Sequence, residues 1–296
     1  MADERSYQLD RIEKLIDEMS SLFDVVRIVD PIGMTVYHVE DGKLVGQAGG
    51  CYNVWNKTDR CENCVSSRCF MDRKRYSKFE FIDNEIYHVI AQPIEICGRR
   101  YVLEVVTASN DNVLITAFGN NDFVNRITTF NHKVYTDDLT GLSNRRFLNE
   151  RFELMIDRTR NGDCPLAAVM VDVDDFKDVN DLQGHLAGDR VLARVGDVLR
   201  DGFEPGNEDI LARYGGDEFF AAFWNITREE LDTKLRRVKE LADTTSLDVT
   251  FSMGAYYLEH VAERSAEEII RSADRVMYRI KAAGKNNYAI DGDEHR

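Results

Sequence analysis

Residues 165–171, PLAAVMV, form an unbroken apolar run of strand length that stops at Asp172. A half-buried strand would alternate, so this run predicts a strand covered on both faces, and the rest of the chain must supply the cover. The following stretches come in a fixed order. Val191, Leu192, Val195, Val198 and Leu199 make one helical stripe, and residues 210–214 and 217–224 read as strands around Gly215-Gly216. A capping box, Thr227 with Glu230, opens a helix through Leu231, Leu235, Val238 and Leu241. Residues 247–256 read as strand. A second capping box, Ser265 with Glu268, opens a helix carrying Ile269, Ile270, Ala273, Met277 and Ile280, which ends at Gly284. The order β-α-β-β-α-β is the split βαβ arrangement, ferredoxin-like, with an antiparallel sheet and helices on one face.

Two acidic groups sit at matching places in that arrangement. Asp172 closes the buried strand, and Asp217 and Glu218 follow the glycine pair, which reads as a two-residue turn with positive φ at both positions. The end of the first strand and the tip of the hairpin lie close together in a split βαβ sheet, so Asp172 and Asp217 are expected to converge. Neighbouring strand residues face opposite ways, so Glu218 joins them only if the turn twists. Converging carboxylates repel unless a cation lies between them, and oxygen ligands of this kind suit Mg²⁺ or Mn²⁺. The chemistry that uses such a site is metal-assisted phosphoryl transfer. A Gly-Gly-Asp-Glu hairpin taken alone is also consistent with a solvated turn.

The first part of the chain is organised differently. Leu9, Ile12, Ile16, Met19 and Leu22 give a helical stripe over residues 6–23. Short strand-like runs follow, VVRIVD and TVYHV, then a cysteine-rich stretch, then SKFEFID, EIYHVIAQPIEI and RRYVLEVVTAS. This pattern predicts a small antiparallel sheet with helices on one side, and in order of elements it resembles a PAS-type sensor domain. The α+β chain therefore divides into a helix and PAS-like domain over 1–112, a connecting helix over 113–135, and a second domain over 136–296. Val124, Ile127, Phe130 or Asn131, and Val134 allow the connector to be either a short dimeric coiled coil or an amphipathic helix lying on one domain.

With 296 residues, of which 43% are hydrophobic, the chain can build two cores. A net charge of −15 excludes wrapping nucleic acid on a basic surface, because phosphate neutralisation needs clustered Lys and Arg. No apolar run is long enough to span a membrane, and the first twenty residues are charged and amphipathic. No membrane insertion is expected, and the expected location is cytoplasmic.

Four stretches, YTDDLTGLSNRRFL (135–148), VDVDDFKDVNDLQGHLAGDRVL (171–192), RYGGDEFF (213–220) and ADRVMYRIKAAGKNNY (273–288), are similar in order and spacing to the GGDEF family, the diguanylate cyclases. The resemblance implies a dimeric enzyme that condenses two GTP into cyclic di-GMP and two pyrophosphates. By motif position it implies that Asp172, Asp217 and the Val173 carbonyl bind the metal, and that Glu218 is either a further ligand or the base acting on the ribose hydroxyl. It places Asn180 and Asp189 at the guanine edge, His185 in the substrate-loop motif, Phe176 and Lys177 in a loop around the triphosphate, and Lys281 and Lys285 on the last helix against the outer phosphates. The readings it leaves open are a catalytically silent nucleotide-binding module and a cyclase using ATP, the second disfavoured by Asp189. Many members carry Arg-x-x-Asp, a product-inhibition site, before the glycines. Here Gly206 stands where that arginine would be, ahead of Asp209, which puts feedback inhibition in doubt.

Of six cysteines, Cys51, Cys61, Cys64 and Cys69 cluster. In a cytoplasmic chain such a cluster suggests a Zn²⁺ site, a redox-responsive thiol set or buried unliganded thiols. Cys97 and Cys164 read as core thiols.

Overall fold

The computed structural model describes residues 5–58, 60–61, 63–82, 85–108, 134–162, 164–245, 247, 249–261 and 264–292. The chain forms two compact units, Met1–His132 and Lys133–Arg296. The expected connecting helix over 113–135 lies almost wholly outside the described residues. Among the described residues no helix is long and apolar enough to cross a membrane.

In the first unit the described strands are β1 (Arg5–Tyr7), β2 (Val25–Asp30), β3 (Thr35–Glu40), β4 (Lys43–Gly50), β5 (Tyr76–Ile82), β6 (Glu85–Ile96) and β7 (Arg99–Ala108). They join in one sheet ordered β1-β6-β7-β2-β3-β4, with β5 also on β6. The two strands share one edge: β5 runs antiparallel along Glu85–Ala91, and β1 runs parallel to Ile94–Ile96. All the predicted runs form strands, while β1 and β4 come in addition. Helix α1 (Leu9–Ser20) is shorter than its predicted span, because the chain ahead of it pairs with β6.

Alternation along β7 sorts the two faces of this sheet. Tyr101, Leu103 and Val105 pack with Ile28, Ile94 and Ile96 against α1, whose Ile12 is fully buried. On the other face Glu104 takes a hydrogen bond from Ser66 in α2 (Val65–Asp72). Helices thus cover both faces, not one as the run pattern suggested.

The second unit holds β8 (Ser143–Asn144), β9 (Leu166–Val173), β10 (Ile210–Gly215), β11 (Glu218–Trp224), β12 (Phe251–Leu258) and β13 (Asn287–Gly292), ordered β13-β12-β9-β11-β10-β8. The inner four, β12-β9-β11-β10, are antiparallel throughout, as a split βαβ sheet requires. β9 is buried at every position. Its odd-numbered Val169, Val171 and Val173 face α5 (His185–Phe203) and α6 (Arg228–Thr244) through Leu192, Val195, Leu199, Leu231 and Leu235. Its even-numbered Ala168 and Met170 face α3 (Arg145–Gly162) and α7 (Ala266–Ala282) through Phe152, Ile156, Ile269 and Ala273.

The expected single helical layer is therefore two layers, which is what a strand apolar on both sides demands. Both capping boxes form as read. The last inner strand begins at Phe251 rather than at residue 247.

Candidate active site at the end of β9

β9 delivers Asp172 to its last full pair, where it lies opposite Glu218 on β11 and Ser252 on β12. In the neighbouring hairpin Gly215 pairs with Glu218, so the two turn residues are Gly216 and Asp217. Only Gly216 is left-handed, at φ +43, and the ladder shifts register between Arg213 and Gly215. This corrects the expectation of two left-handed glycines. Asp217 belongs to the turn, so strand alternation does not bind it. Its carbonyl accepts from the Val173 N–H at 3.2 Å, which draws the turn onto the end of β9.

Arg213 fastens that turn. Its Nε and Nη2 donate to the Gly216 carbonyl at 2.9 and 2.7 Å, and its Nη1 lies 3.2 Å from Asp137 Oδ2. Asp137 also accepts from the Thr140 N–H and hydroxyl. Against the effect of burial, the bonds from Thr140 and Arg213 hold its carboxyl below the usual range.

The carboxylates crowd one another. Burial pushes Asp172 up to about 6; Lys281 opposes the shift, and Asp217 and Glu218 add to it. Glu218 is raised by burial, then by Asp217 and Asp274, against the pull of Lys281 and Arg145. The Lys281 ammonium lies 2.6 Å from Asp172 Oδ1, and that of Lys285 lies 2.5 Å from Asp175 Oδ1. Lys281 is in the last turn of α7, but Lys285 falls beyond the helix, after Gly284 and itself at φ +65, so the two lysines do not share a helix face as expected.

Asp174 is spent on structure. Buried, it accepts from the hydroxyls of Thr250 and Ser252 at 2.8 and 2.6 Å and from the Asn286 N–H at 3.0 Å. It therefore ties β9 to β12 and to the segment that carries Lys285.

Phe176 and Lys177 form the first turn of a short helix, α4 (Phe176–Gln183), rather than a loop. Their backbone N–H groups sit at its N-terminus, a place suited to anions. Asn180 lies further along α4, while His185 opens α5 and is exposed, with Asp189 one turn on. The two helices touch closely at Gly188: a Cβ there would fall 2.1 Å from Asn180 Oδ1 and 3.1 Å from the Phe176 ring. This contact sets Asn180 beside the residue preceding Asp189. At Gly206, where the resemblance would place an arginine, the N–H donates to Asp209 at 2.8 Å, and the Trp224 N–H donates to Asp209 at 3.2 Å, so Asp209 closes its own turn. Arg213, Asp137 and Asp174 are the site-forming residues that sequence reasoning missed.

Among the described residues no three His, Cys, Asp or Glu side chains are arranged to hold a metal ion. At the carboxylates the donor set still fits Mg²⁺: all its donors are oxygens, burial and then the neighbouring acids raise Asp172 and Glu218, and an ammonium already lies against Asp172. The cysteines are not grouped to hold zinc among the described residues, and Cys64 instead caps α2 by accepting from the Ser67 N–H at 3.4 Å. Burial raises the Cys51 and Cys69 thiols to about 12 and raises Cys61. Cys97 is an exposed turn residue and Cys164 is half-buried, so neither is a core thiol.

The family described as "Diguanylate cyclase, GGDEF domain" matches residues 134–287. Diguanylate cyclase DosC of Escherichia coli K12 is 32% identical over 165 residues, 54% of this chain and 35% of that protein. Diguanylate cyclase DgcP of Pseudomonas aeruginosa is 33% identical over 165 residues, 53% of this chain and 24% of that protein. The chain thus spans about a third or less of the length of these curated relatives. The crystal structure of diguanylate cyclase SiaD from P. aeruginosa, in complex with its activator SiaC, superposes with a TM-score of 0.50 at 28% identity, covering 57% of this chain and 66% of that one. With the match running over more than half of its length and across every element that builds the site, this chain belongs to the GGDEF-domain diguanylate cyclase family.

Proposed function

We propose that the chain condenses two GTP molecules into cyclic di-GMP, releasing two pyrophosphates, as a cytoplasmic homodimer dependent on Mg²⁺ or Mn²⁺. The observation that carries this reading is the meeting of Asp172, Asp217 and Glu218 with Lys281 at the end of β9. Asp172, Asp217 and the Val173 carbonyl would hold the metal. Bound there, Mg²⁺ supplies positive charge to the triphosphate and acidifies the attacking ribose hydroxyl. Glu218, its carboxyl raised by its neighbours, is suited to take the hydroxyl proton. Lys281 and Lys285 take the outer phosphates, and the first turn of α4, with Phe176 and Lys177, offers N–H groups to the same chain of phosphates. Asn180 and Asp189 read the guanine, where a carboxylate accepts from the N1–H and N2–H side by side, a pairing adenine does not offer. His185 borders that base site.

One subunit holds one GTP, and the product is two-fold symmetric, so two such sites must face each other. The first unit then acts as a PAS-like sensor that sets how they meet; the antiparallel sheet formed from its predicted runs supports this role. With MgCl₂ and GTP, the purified chain should release pyrophosphate and yield cyclic di-GMP by mass spectrometry, and Asp217→Ala should not. Tight GTP binding without pyrophosphate release, unaltered by Asp217→Ala, would establish the silent-module reading instead.

Because Arg213 holds the turn through a fork of three donors, Arg213→Lys keeps the charge but loses the grip on Gly216. Both Arg213→Lys and Arg213→Ala are expected to lower turnover about 10- to 100-fold with GTP affinity little changed. Steady-state kinetics across GTP concentrations checks the split.

A further inference from the structure

Two cations flank the acids at the end of β9. One is Lys281, paired with Asp172. The other is Arg145, the first residue of α3. Asn144 fixes where that helix begins: its side-chain amide donates to the Val134 and Thr136 carbonyls at 2.9 and 3.3 Å, and its Oδ1 caps the Phe147 N–H at 3.1 Å. From there the Arg145 guanidinium lies over the Tyr214 ring, Cζ 4.3 Å from its centre, with Nη2 donating to the Tyr214 hydroxyl at 3.3 Å.

This stack shares a face with the acids. Asp172 follows Ala168 and Met170 by strand alternation onto the side of α3 and α7, Glu218 pairs with Asp172, and Tyr214 packs into the same cluster. Tyr214 precedes Gly215, the ladder partner of Glu218, so Arg145 stands level with the tip of the hairpin. Its charge is near enough to pull on the Glu218 carboxyl.

Arg145 is exposed and makes no ion pair among the described residues, whereas its neighbour Arg146 is spent on Glu150. A guanidinium held by a ring and one hydroxyl keeps most of its fork for a ligand, and such a fork suits phosphate. In the strand order β9-β11-β10, Asp172 with Lys281 lies two strand spacings, about 10 Å, from the strand that carries Tyr214. A nucleotide with its outer phosphates on Lys281 and Lys285 therefore leaves Arg145 to another phosphate.

We propose, resting on the cyclase reading above, that Arg145 binds the α-phosphate of the GTP held by a second copy of the chain. The 3′ oxygen of this subunit's ribose forms a bond to that phosphorus and gives its proton to Glu218. The bond from the phosphorus to its bridging oxygen breaks, and pyrophosphate leaves with the electron pair. Arg145 meets the negative charge that builds on the phosphoryl oxygens, and Tyr214 positions it.

Steady-state turnover of GTP, set beside calorimetric binding of α,β-methylene GTP to the full chain, tests this role. Arg145→Ala should lower turnover about a thousandfold, the scale on which an arginine reaching in from a facing protein acts in phosphoryl transfer, with analogue affinity and unfolding midpoint unchanged. Arg145→Lys keeps the charge but not the fork, and should turn over about tenfold faster than Arg145→Ala. The role is overturned if wild type turns over GTP and Arg145→Ala keeps pace with it, if analogue affinity or the midpoint falls in step with turnover, or if Arg145→Lys is no faster than Arg145→Ala. A wild type that releases no pyrophosphate removes the cyclase reading instead, and this role with it.

Discussion

Asp172→Asn is expected to lower GTP turnover about a thousandfold and, in the same protein, to raise the thermal midpoint of the metal-free chain at neutral pH. The first effect follows because the amide cannot supply the anionic oxygen that the proposed metal site needs. The second follows from the raised carboxyl. The folded chain holds the Asp172 proton more tightly than the unfolded one, with a pKa of about 6 against 3.8. Below pH 3.8 the acid is protonated in both states and costs nothing. As pH climbs from there to about 6, stability is lost, and above that the full penalty stands, at most about 3 kcal/mol. Asparagine carries none of it, although Lys281 then loses its partner. The gain should therefore be present at neutral pH and vanish near pH 4 in chelator-treated unfolding scans. A variant no more stable than wild type at neutral pH would refute the raised carboxyl.

Gly254→Ala should be the most damaging small substitution in the second unit. Gly254 lies in mid-β12 under α7, and a Cβ there would fall 2.0 Å from the Met277 N and 2.5 Å from the Ala273 O. Both are backbone atoms of a helix, so the whole of α7 must lift, taking Lys281 with it. Overpacking of this kind costs about 3 kcal/mol, or roughly 10 °C in a unit of this size. Gly215 provides the contrast: an added Cβ there meets nothing within 4 Å. Gly215→Ala should leave the midpoint in place, and differential scanning of the two variants side by side checks the claim.

Much of this was legible in the sequence, for reasons that can be named. The apolar run ending at Asp172 announced a doubly covered strand, and both capping boxes are local signals that need no tertiary partner. Which helices covered which face was not legible. Leu148, Phe152, Met155 and Ile156 make a readable stripe, but a stripe does not say which side of a sheet it meets. β13 follows a helix-ending glycine, is only partly buried and pairs in parallel, so it lacks the alternation that marks a strand.

At the site, residue types could be assigned by motif, yet Arg213–Asp137 and Asp174–Thr250 each join residues 76 positions apart, and such bonds leave no local trace. The cysteine spacing was equally visible. What it concealed was that Cys64 is occupied as a helix cap and that its neighbours are buried as thiols.

The pairing of Lys281 with Asp172 and of Lys285 with Asp175 makes the candidate site an internal salt, with each ammonium carrying its own counter-ion. In the proposed reaction an arriving polyphosphate would not meet bare positive charge: the two lysines would exchange carboxylate for phosphate, and the carboxylates would pass to the cation that travels with the nucleotide. Few ions need leave for bulk solvent in that exchange. Basic surfaces that bind polyanions weaken steeply as salt rises because they shed condensed ions. On the proposed function, a site that trades partners internally would keep its hold on nucleotide as ionic strength varies, which reconciles the proposed anionic substrate with a chain of net charge −15.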